Sequence, residues 1–404
     1  METGDTAVNV SVNQALEFIL NRCFINPGSE DLNAAETLNR VLSSDIRATR
    51  DVPRFDNSAM DGFLFLTEDL THGRKTFHVA GEIRPEYRQP APIEPGTSSR
   101  IMTGAPVPNG NYSVVPVELV KEQNGSVTVL QIPARNPIRQ KGEGYRKGGT
   151  VLEKGALIRP YEMGLIIESG NKTCRVLKKL RLAIQVTGTE IDENMDSNGP
   201  VLEALAASWP GVDAKRWPVL KDNPDAVTQR MEELRESADI VITTGGISAG
   251  RYDYLPESMK SLGADVIVRK VRQKPGGPFT VTRLGGIPFF HLPGNPVSAV
   301  FTAEYYTRRL IRHLTGMKSG VGQAFITNRI ENNRSAKTLF LTGNLGFDSE
   351  KRLTVTTESN MHSHLMQLYK GNHAYVRIEP ETVVQPGDVV EITPFSNTGI
   401  LFSD

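Results

Sequence analysis

From about residue 178 the chain alternates short apolar strands with helices, and this alternation limits the possible folds more than any other feature. Leu182-Ala183-Ile184-Gln185-Val186 reads as a short buried strand, with a helix expected over 199–208. A second helix opens with Asn223 as N-cap and Pro224 at its first position, and sets Val227, Met231 and Leu234 on one face. Strand Asp239–Thr243, helix 254–262, strands 265–269 and 287–292 and helix 296–314 complete the series. Strands alternating with helices predict βαβ units and a mostly parallel sheet. A central α/β three-layer domain over 178–318 follows, with ligands expected at the carboxyl ends of its strands.

The chain has 404 residues, too many for one core at roughly 100–200 residues per domain. Residues 11–23 predict an amphipathic helix with Val12, Ala15, Leu16, Ile19 and Leu20 on one face. Residues 50–137 are rich in Pro and Gly and hold short apolar runs at 63–66, 76–80 and 112–117, which suggests a β-rich module with long loops. Over 138–177, Leu152, Leu157, Ile166 and Ile167 are core candidates. Beyond 320 the pattern is all β: Phe325-Ile326, Leu339–Leu341, Leu353–Thr357, Ala374–Ile378 and Val389–Ile392 predict a small barrel or sandwich.

Charge and cysteine usage exclude several classes. Lys+Arg and Asp+Glu both number 46, so the basic excess of a generic nucleic-acid or anionic-membrane binder is missing. Cys23 and Cys174 make no disulfide framework and have no zinc-type spacing. The opening residues do not read as a signal peptide, and no apolar run approaches the roughly 20 residues of a membrane span. A reducing cytoplasm is the expected setting.

Four strand-end loops are candidates for chemistry. Thr243-Thr244-Gly245-Gly246-Ile247-Ser248 follows the clearest strand; its glycines allow close backbone approach, and exposed N–H groups favour an anion. A tight turn without a ligand is the alternative. Asp253 follows, either as a Mg²⁺ contact or as the cap of the next helix. Pro293-Gly294-Asn295-Pro296-Val297-Ser298 fixes the start of a long helix, and Ser298 could help seat an oxyanion. Lys274-Pro275-Gly276-Gly277-Pro278 offers a positive charge on a stiff turn, and Thr187-Gly188-Thr189-Glu190 adds a carboxylate. In the N-terminal half, Phe55-Asp56-Asn57-Ser58-Ala59-Met60-Asp61-Gly62 and Met102-Thr103-Gly104-Ala105-Pro106 read as polar loops, each explicable alone by Asx turns.

Taken in order, these segments resemble the molybdopterin molybdenumtransferases, the MoeA and gephyrin E-domain family. The resemblance spans nearly the whole chain, and Asn-Ser-Ala-Met-Asp-Gly with Pro-Gly-Asn-Pro-Val-Ser is a specific combination. It implies an elongated dimerisation domain at 1–49 and 138–177, an inserted β-rich domain at 50–137, the α/β molybdopterin-binding domain at 178–318, and a C-terminal β-barrel at 319–404. It implies adenylylated molybdopterin and molybdate as substrates, Mg²⁺ as cofactor, AMP release, and a homodimer whose cleft is shared between subunits. Molybdopterin adenylyltransferase is the implied upstream partner. Carried over by motif, Asp61, Thr103, Glu190, Asp253 and Lys274 would be catalytic, with Asp61, Glu190 and Asp253 on the metal. Asp222, Thr244, Gly245, Gly246, Ser248, Pro293, Gly294, Asn295, Pro296, Ser298 and Ser363 would hold the pterin, phosphate or molybdate.

The chain also departs from the family pattern. Gly144 stands where the family has Asp, Thr189 where it has Asp, and Gly277 where it has Lys. Losing such charges weakens transition-state stabilisation. The sequence therefore leaves three expectations open: a divergent molybdenumtransferase, a degenerate paralogue that binds molybdopterin or a protein partner without turnover, or an enzyme for an altered oxyanion or pterin, such as tungstate.

Overall fold

The computed structural model describes residues 7–86, 88–188, 196–246, 254–318, 320–333, 336–358 and 364–396. Its centre is a seven-stranded mixed sheet in the order Ala7–Val10, Asp265–Val271, Thr280–Leu284, Ile287–Leu292, Ile240–Thr244, Leu180–Val186, Val212–Arg216. The last four are mutually parallel, and an antiparallel hairpin, Thr280–Leu284 with Ile287–Leu292, joins them to the far edge. One face packs Leu182, Ile184, Ile242 and Phe290 among helices Val12–Arg22, Asn198–Ala207 and Pro296–Thr302. The other packs Ala183, Val241 and Phe289 against Pro224–Ser237 and Leu255–Ser261. Both faces are covered, which is why these strands are apolar throughout.

The edge strand Ala7–Val10 corrects the expected grouping of residues 1–49. It pairs in parallel with Asp265–Val271, and Val12, Ala15 and Ile19 of the following helix enter the central core. Residues 7–22 thus belong with the α/β unit. Ser11 opens that helix with a capping box closed by Gln14. The elongated segment instead begins with Ser29–Asn33, which pairs with Thr173–Leu177, while Ile46–Arg47 pairs with Thr150–Leu152. Leu42, Ile46, Ile158 and Ile166 fill its core. Ile167, expected inside, is 49% exposed because the helix Pro160–Glu168 turns only its Ile166 side inward.

The insertion is a six-stranded sheet, with Phe63, Phe65 and Phe77 on one face and Leu64, Ile101 and Val114 on the other, as strand alternation requires. At the C-terminal end, strands Gly322–Ile326, Thr338–Phe347, Leu353–Thr357, Ala374–Ile378 and Val389–Pro394 close into a barrel. Among the described residues no helix is long and apolar enough to cross a membrane.

The helix expected over 296–314 is interrupted by a π-helical turn, Ala303–Thr307. This region fastens the barrel to the α/β core. Phe301 lies 4.6 Å from Phe340 and 5.1 Å from Tyr375 between ring centres, both partners being barrel residues. Glu304, 1% exposed, accepts from the backbone N–H of Ser396 at 2.8 Å and pairs with Arg308 at 3.4 Å. Arg308 also donates to Ser396 Oγ at 2.8 Å, and Trp209 Nε1 reaches the same hydroxyl at 2.7 Å. Removing one partner of a buried ion pair leaves the other charge uncompensated. Glu304→Ala should therefore cost about 3–5 kcal/mol in urea unfolding. A loss below about 1 kcal/mol would show that this network does not hold the barrel in place.

Candidate functional site at the carboxyl edge of the sheet

Val186, Thr244 and Leu292 are aligned across three neighbouring parallel strands, so the residues after them leave the sheet side by side. Thr187 donates its N–H to the carbonyl of Thr244 at 2.9 Å. The Thr244 hydroxyl donates to the carbonyl of Pro293 at 3.3 Å and accepts from Asn198 Nδ2 at 3.1 Å. The same Asn198 amide donates to the carbonyl of Gly294 at 2.8 Å. One side chain thereby ties the Thr244-Gly245-Gly246 and Pro293-Gly294-Asn295 loops together. Its own Oδ1 is buried and has no hydrogen-bond partner among the described residues.

The start of that helix is held firmly. Asp196 accepts from the N–H of Gly199 at 2.8 Å and pairs with Arg216 at 3.3 Å. Gly245 and Gly246 have φ of +90° and +67°, the left-handed region that favours glycine. A Cβ on Gly245 would lie 2.3 Å from the carbonyl oxygen of Thr187. The first glycine is thus required by the chain's own neighbour. Gly294 has room, since a Cβ there would meet nothing closer than Gly245 Cα at 3.9 Å.

Asp222 and Lys274 approach by different routes. Leu220 accepts from the N–H of Gly188 at 3.1 Å, which sets half-buried Asp222 two residues beyond the same edge. Gln273–Lys274 pairs with Thr338–Leu339 of the barrel. A Cβ on Gly276 would lie 2.6 Å from Thr302 Cγ2, so the Lys-Pro-Gly turn sits against the helix that carries Pro296 and Ser298. Ser298 is buried. Asn295 occupies the N-cap position without a side-chain capping bond, whereas Asn223 caps its helix through Ala226 N–H at 3.0 Å.

Asp61 and Thr103 form a second cluster, on the inserted sheet. Asp61 Oδ1 accepts from the Thr103 backbone N–H at 2.6 Å and from its hydroxyl at 2.8 Å. These two bonds, the backbone one foremost, hold the carboxyl below its usual range and keep it ionised. Exposed Met60 and Met102 flank the pair. Glu190, Ser248, Asp253 and Ser363 lie outside the described residues.

Two features escaped sequence reasoning. Asn198 stands in an unremarkable Asp-Ser-Asn-Gly run; its signal was polar residues opening an apolar helix. His291 sits in an otherwise apolar strand, with Nδ1 2.8 Å from the Thr243 hydroxyl and Nε2 2.8 Å from that of Thr282. Burial pushes its pKa down to about 3.

Comparison with known proteins fits this geometry. Residues 10–170 match the MoeA N-terminal region (domain I and II), and residues 183–313 match the probable molybdopterin binding domain. The MoeA protein of Pyrococcus horikoshii OT3 shares the fold, with a TM-score of 0.79 at 22% identity over 96% of this chain and 100% of that one. The molybdopterin molybdenumtransferase of Staphylococcus aureus (strain COL) is 35% identical over 328 residues, 76% of either chain. That of Nostoc sp. (strain PCC 7120) is 32% identical over 307 residues, 72% of this chain and 70% of its own. Fold and sequence together define a MoeA-type protein of molybdenum cofactor biosynthesis. Within that class, the chain belongs to the molybdopterin molybdenumtransferase family.

Two outcomes follow from the geometry. Gly245→Ala should lower stability by about 2–4 kcal/mol through overlap and backbone strain, while Gly294→Ala should stay within roughly 0.5 kcal/mol of the parent; urea unfolding compares them. His291 binds its proton near pH 6.5 when unfolded but only near pH 3 when folded, so the unfolded state takes up the extra proton and stability falls as pH drops between those values. Between pH 7 and 4.5 the parent should lose about 2–3 kcal/mol more than His291→Gln. Equal losses would contradict a buried neutral imidazole.

Proposed function

We propose that this chain takes adenylylated molybdopterin and molybdate, releases AMP, and places molybdenum on the pterin dithiolene. The observation that supports this most is the junction at Asn198, which joins the Thr244–Gly246 and Pro293–Asn295 loops at one sheet edge. Gly246, with the neighbouring Ser248, offers backbone and hydroxyl groups to a phosphate or the pterin. Lys274 and Ser298 lie on segments that pack together and suit an oxyanion such as molybdate. Asp222 adds a carboxylate at the same edge.

Asp61 and Thr103 complete the site as a pair facing a partner's α/β domain, in a homodimer with a shared cleft. Asp61 suits a hydrated magnesium ion, because it is ionised and its Oδ2 accepts no hydrogen bond among the described residues. Glu190 and Asp253 are the other carboxylates for it. Magnesium bound there supplies charge neutralisation for the phosphates. The buried free thiols Cys23 and Cys174 suit a reducing cytoplasm, and molybdopterin adenylyltransferase is the fitting upstream partner.

The second reading, a binder without turnover, draws on Gly144. A Cβ there would lie 3.1 Å from the Val52 carbonyl oxygen, so an aspartate returns only if that backbone yields. Gly277 is similarly close, since such a Cβ would lie 3.3 Å from the Gln273 carbonyl oxygen, which must also give slightly. Incubation with adenylylated molybdopterin, Mg²⁺ and molybdate should release AMP and yield a cofactor that activates a molybdenum-free apoenzyme. Gly277→Lys should accelerate release roughly tenfold by restoring one cation. Tight binding with no AMP from either protein would favour the second reading; no binding at all would refute the first reading and the molybdopterin-binding form of the second.

A further inference from the structure

The turn that carries Lys274 is fastened from inside by two polar side chains that the proposed reaction does not use. Gln273, 2% exposed, donates from Nε2 to the carbonyl of Gly276 at 3.2 Å. Its Oε1 accepts from the hydroxyl of Tyr306, which is fully buried. Both ends of the amide are thereby used, as the burial of a polar group demands. The same Gly276 carbonyl accepts the N–H of Phe279 at 3.1 Å, and the N–H of Val271 closes on the carbonyl of Gly277 at 2.9 Å.

Tyr306 belongs to the π-helical turn Ala303–Thr307, whose five residues are all buried. Such a turn widens the helix and is frequent at functional sites. Here neighbouring rings go to different units. The Tyr305 ring lies 4.7 Å from Phe340 of the barrel, while the Tyr306 ring stacks on Phe279 at 4.5 Å. Tyr306 thus holds the Lys274 turn at two points, by its ring on Phe279 and by its hydroxyl on Gln273. Burial keeps that hydroxyl well above its ordinary pKa, so it remains a donor. Gln273 and Lys274 are consecutive on one short strand, and consecutive strand residues point to opposite faces. Anchoring Gln273 inward therefore directs half-buried Lys274 the other way.

We infer that Gln273, held by Tyr306, is a positioning residue for Lys274: it fixes the Lys-Pro-Gly turn so that the ammonium group stands where the oxyanion binds. This rests on the proposed reaction, in which Lys274 serves molybdate. Gln273 and Tyr306 touch no substrate and move no proton; they order the turn before the anion arrives, which lowers the cost of binding it.

Tyr306→Phe keeps the ring and removes the hydroxyl; Gln273→Met keeps the side-chain length and removes both hydrogen bonds. In either variant, hydrogen exchange read by mass spectrometry should be about fivefold faster in peptides covering 274–279 and unchanged at 244–246. The molybdate KM should rise about tenfold in Gln273→Met and about threefold in Tyr306→Phe, with the KM for adenylylated molybdopterin within about twofold of the parent. In a Lys274→Ala background, adding Gln273→Met should leave the molybdate KM unchanged, whereas a general loosening of the fold would raise it further. Unaltered exchange across 274–279, an unaltered molybdate KM in Gln273→Met, or full additivity with Lys274→Ala would overturn the inference. Calorimetric titration with molybdate alone separates this claim from the reaction. If Gln273→Met weakens molybdate binding while the parent releases no AMP, the positioning role stands and the proposed reaction falls. If the parent turns over while Gln273→Met keeps its molybdate affinity, the reaction stands and the positioning role falls.

Discussion

Three parallel strands stop in register at Val186, Thr244 and Leu292, and the amide of Asn198 bonds to the loops that leave two of them. Without register, those loops would leave at different heights and no single side chain could reach both. Asn198 is in turn placed by Asp196, whose carboxylate is anchored on Gly199 and Arg216. The glycine turn depends on the same arrangement, since Gly245 passes so close to Thr187 that a methyl group would collide with it. Strand pairing thus shapes the edge before any ligand arrives, which lowers the ordering cost of binding.

The barrel contributes from behind. Phe301 and Tyr305 on the helix after Pro296 pack against Phe340, and Glu304 reaches Ser396 through part-buried hydrogen bonds. The Lys274 turn lies between the two units, paired with the barrel strand at Leu339 and pressed on Thr302. A shift of the barrel would therefore carry Lys274 with it.

Much of this was legible in the residues. Leu180–Val186 and Ile240–Thr244 are continuous apolar runs, and burial on both faces demands that pattern. The glycine pair and Pro-Gly-Asn-Pro stood out because their backbones need unusual conformations. Val212–Arg216 did not, because as an edge strand its Val-Asp-Ala-Lys-Arg is half exposed. Ala7–Val10 was too short to register and gains its identity from a partner far along the chain. Asn198 was hidden for a related reason: its partners lie 46 and 96 residues away, and nothing local marks a side chain that acts at such range. At Gly144 the family's charge is missing and the backbone has closed on Val52, a contact that no sequence pattern marks.

The central claim is that the edge formed by Thr244, Gly245, Gly246 and Gly294 receives the ligand. Hydrogen exchange read by mass spectrometry, with and without adenylylated molybdopterin, tests it most directly. The account predicts slower exchange in the peptides covering 244–246 and 293–295. Unchanged exchange in both, with protection appearing elsewhere on the chain, would contradict it.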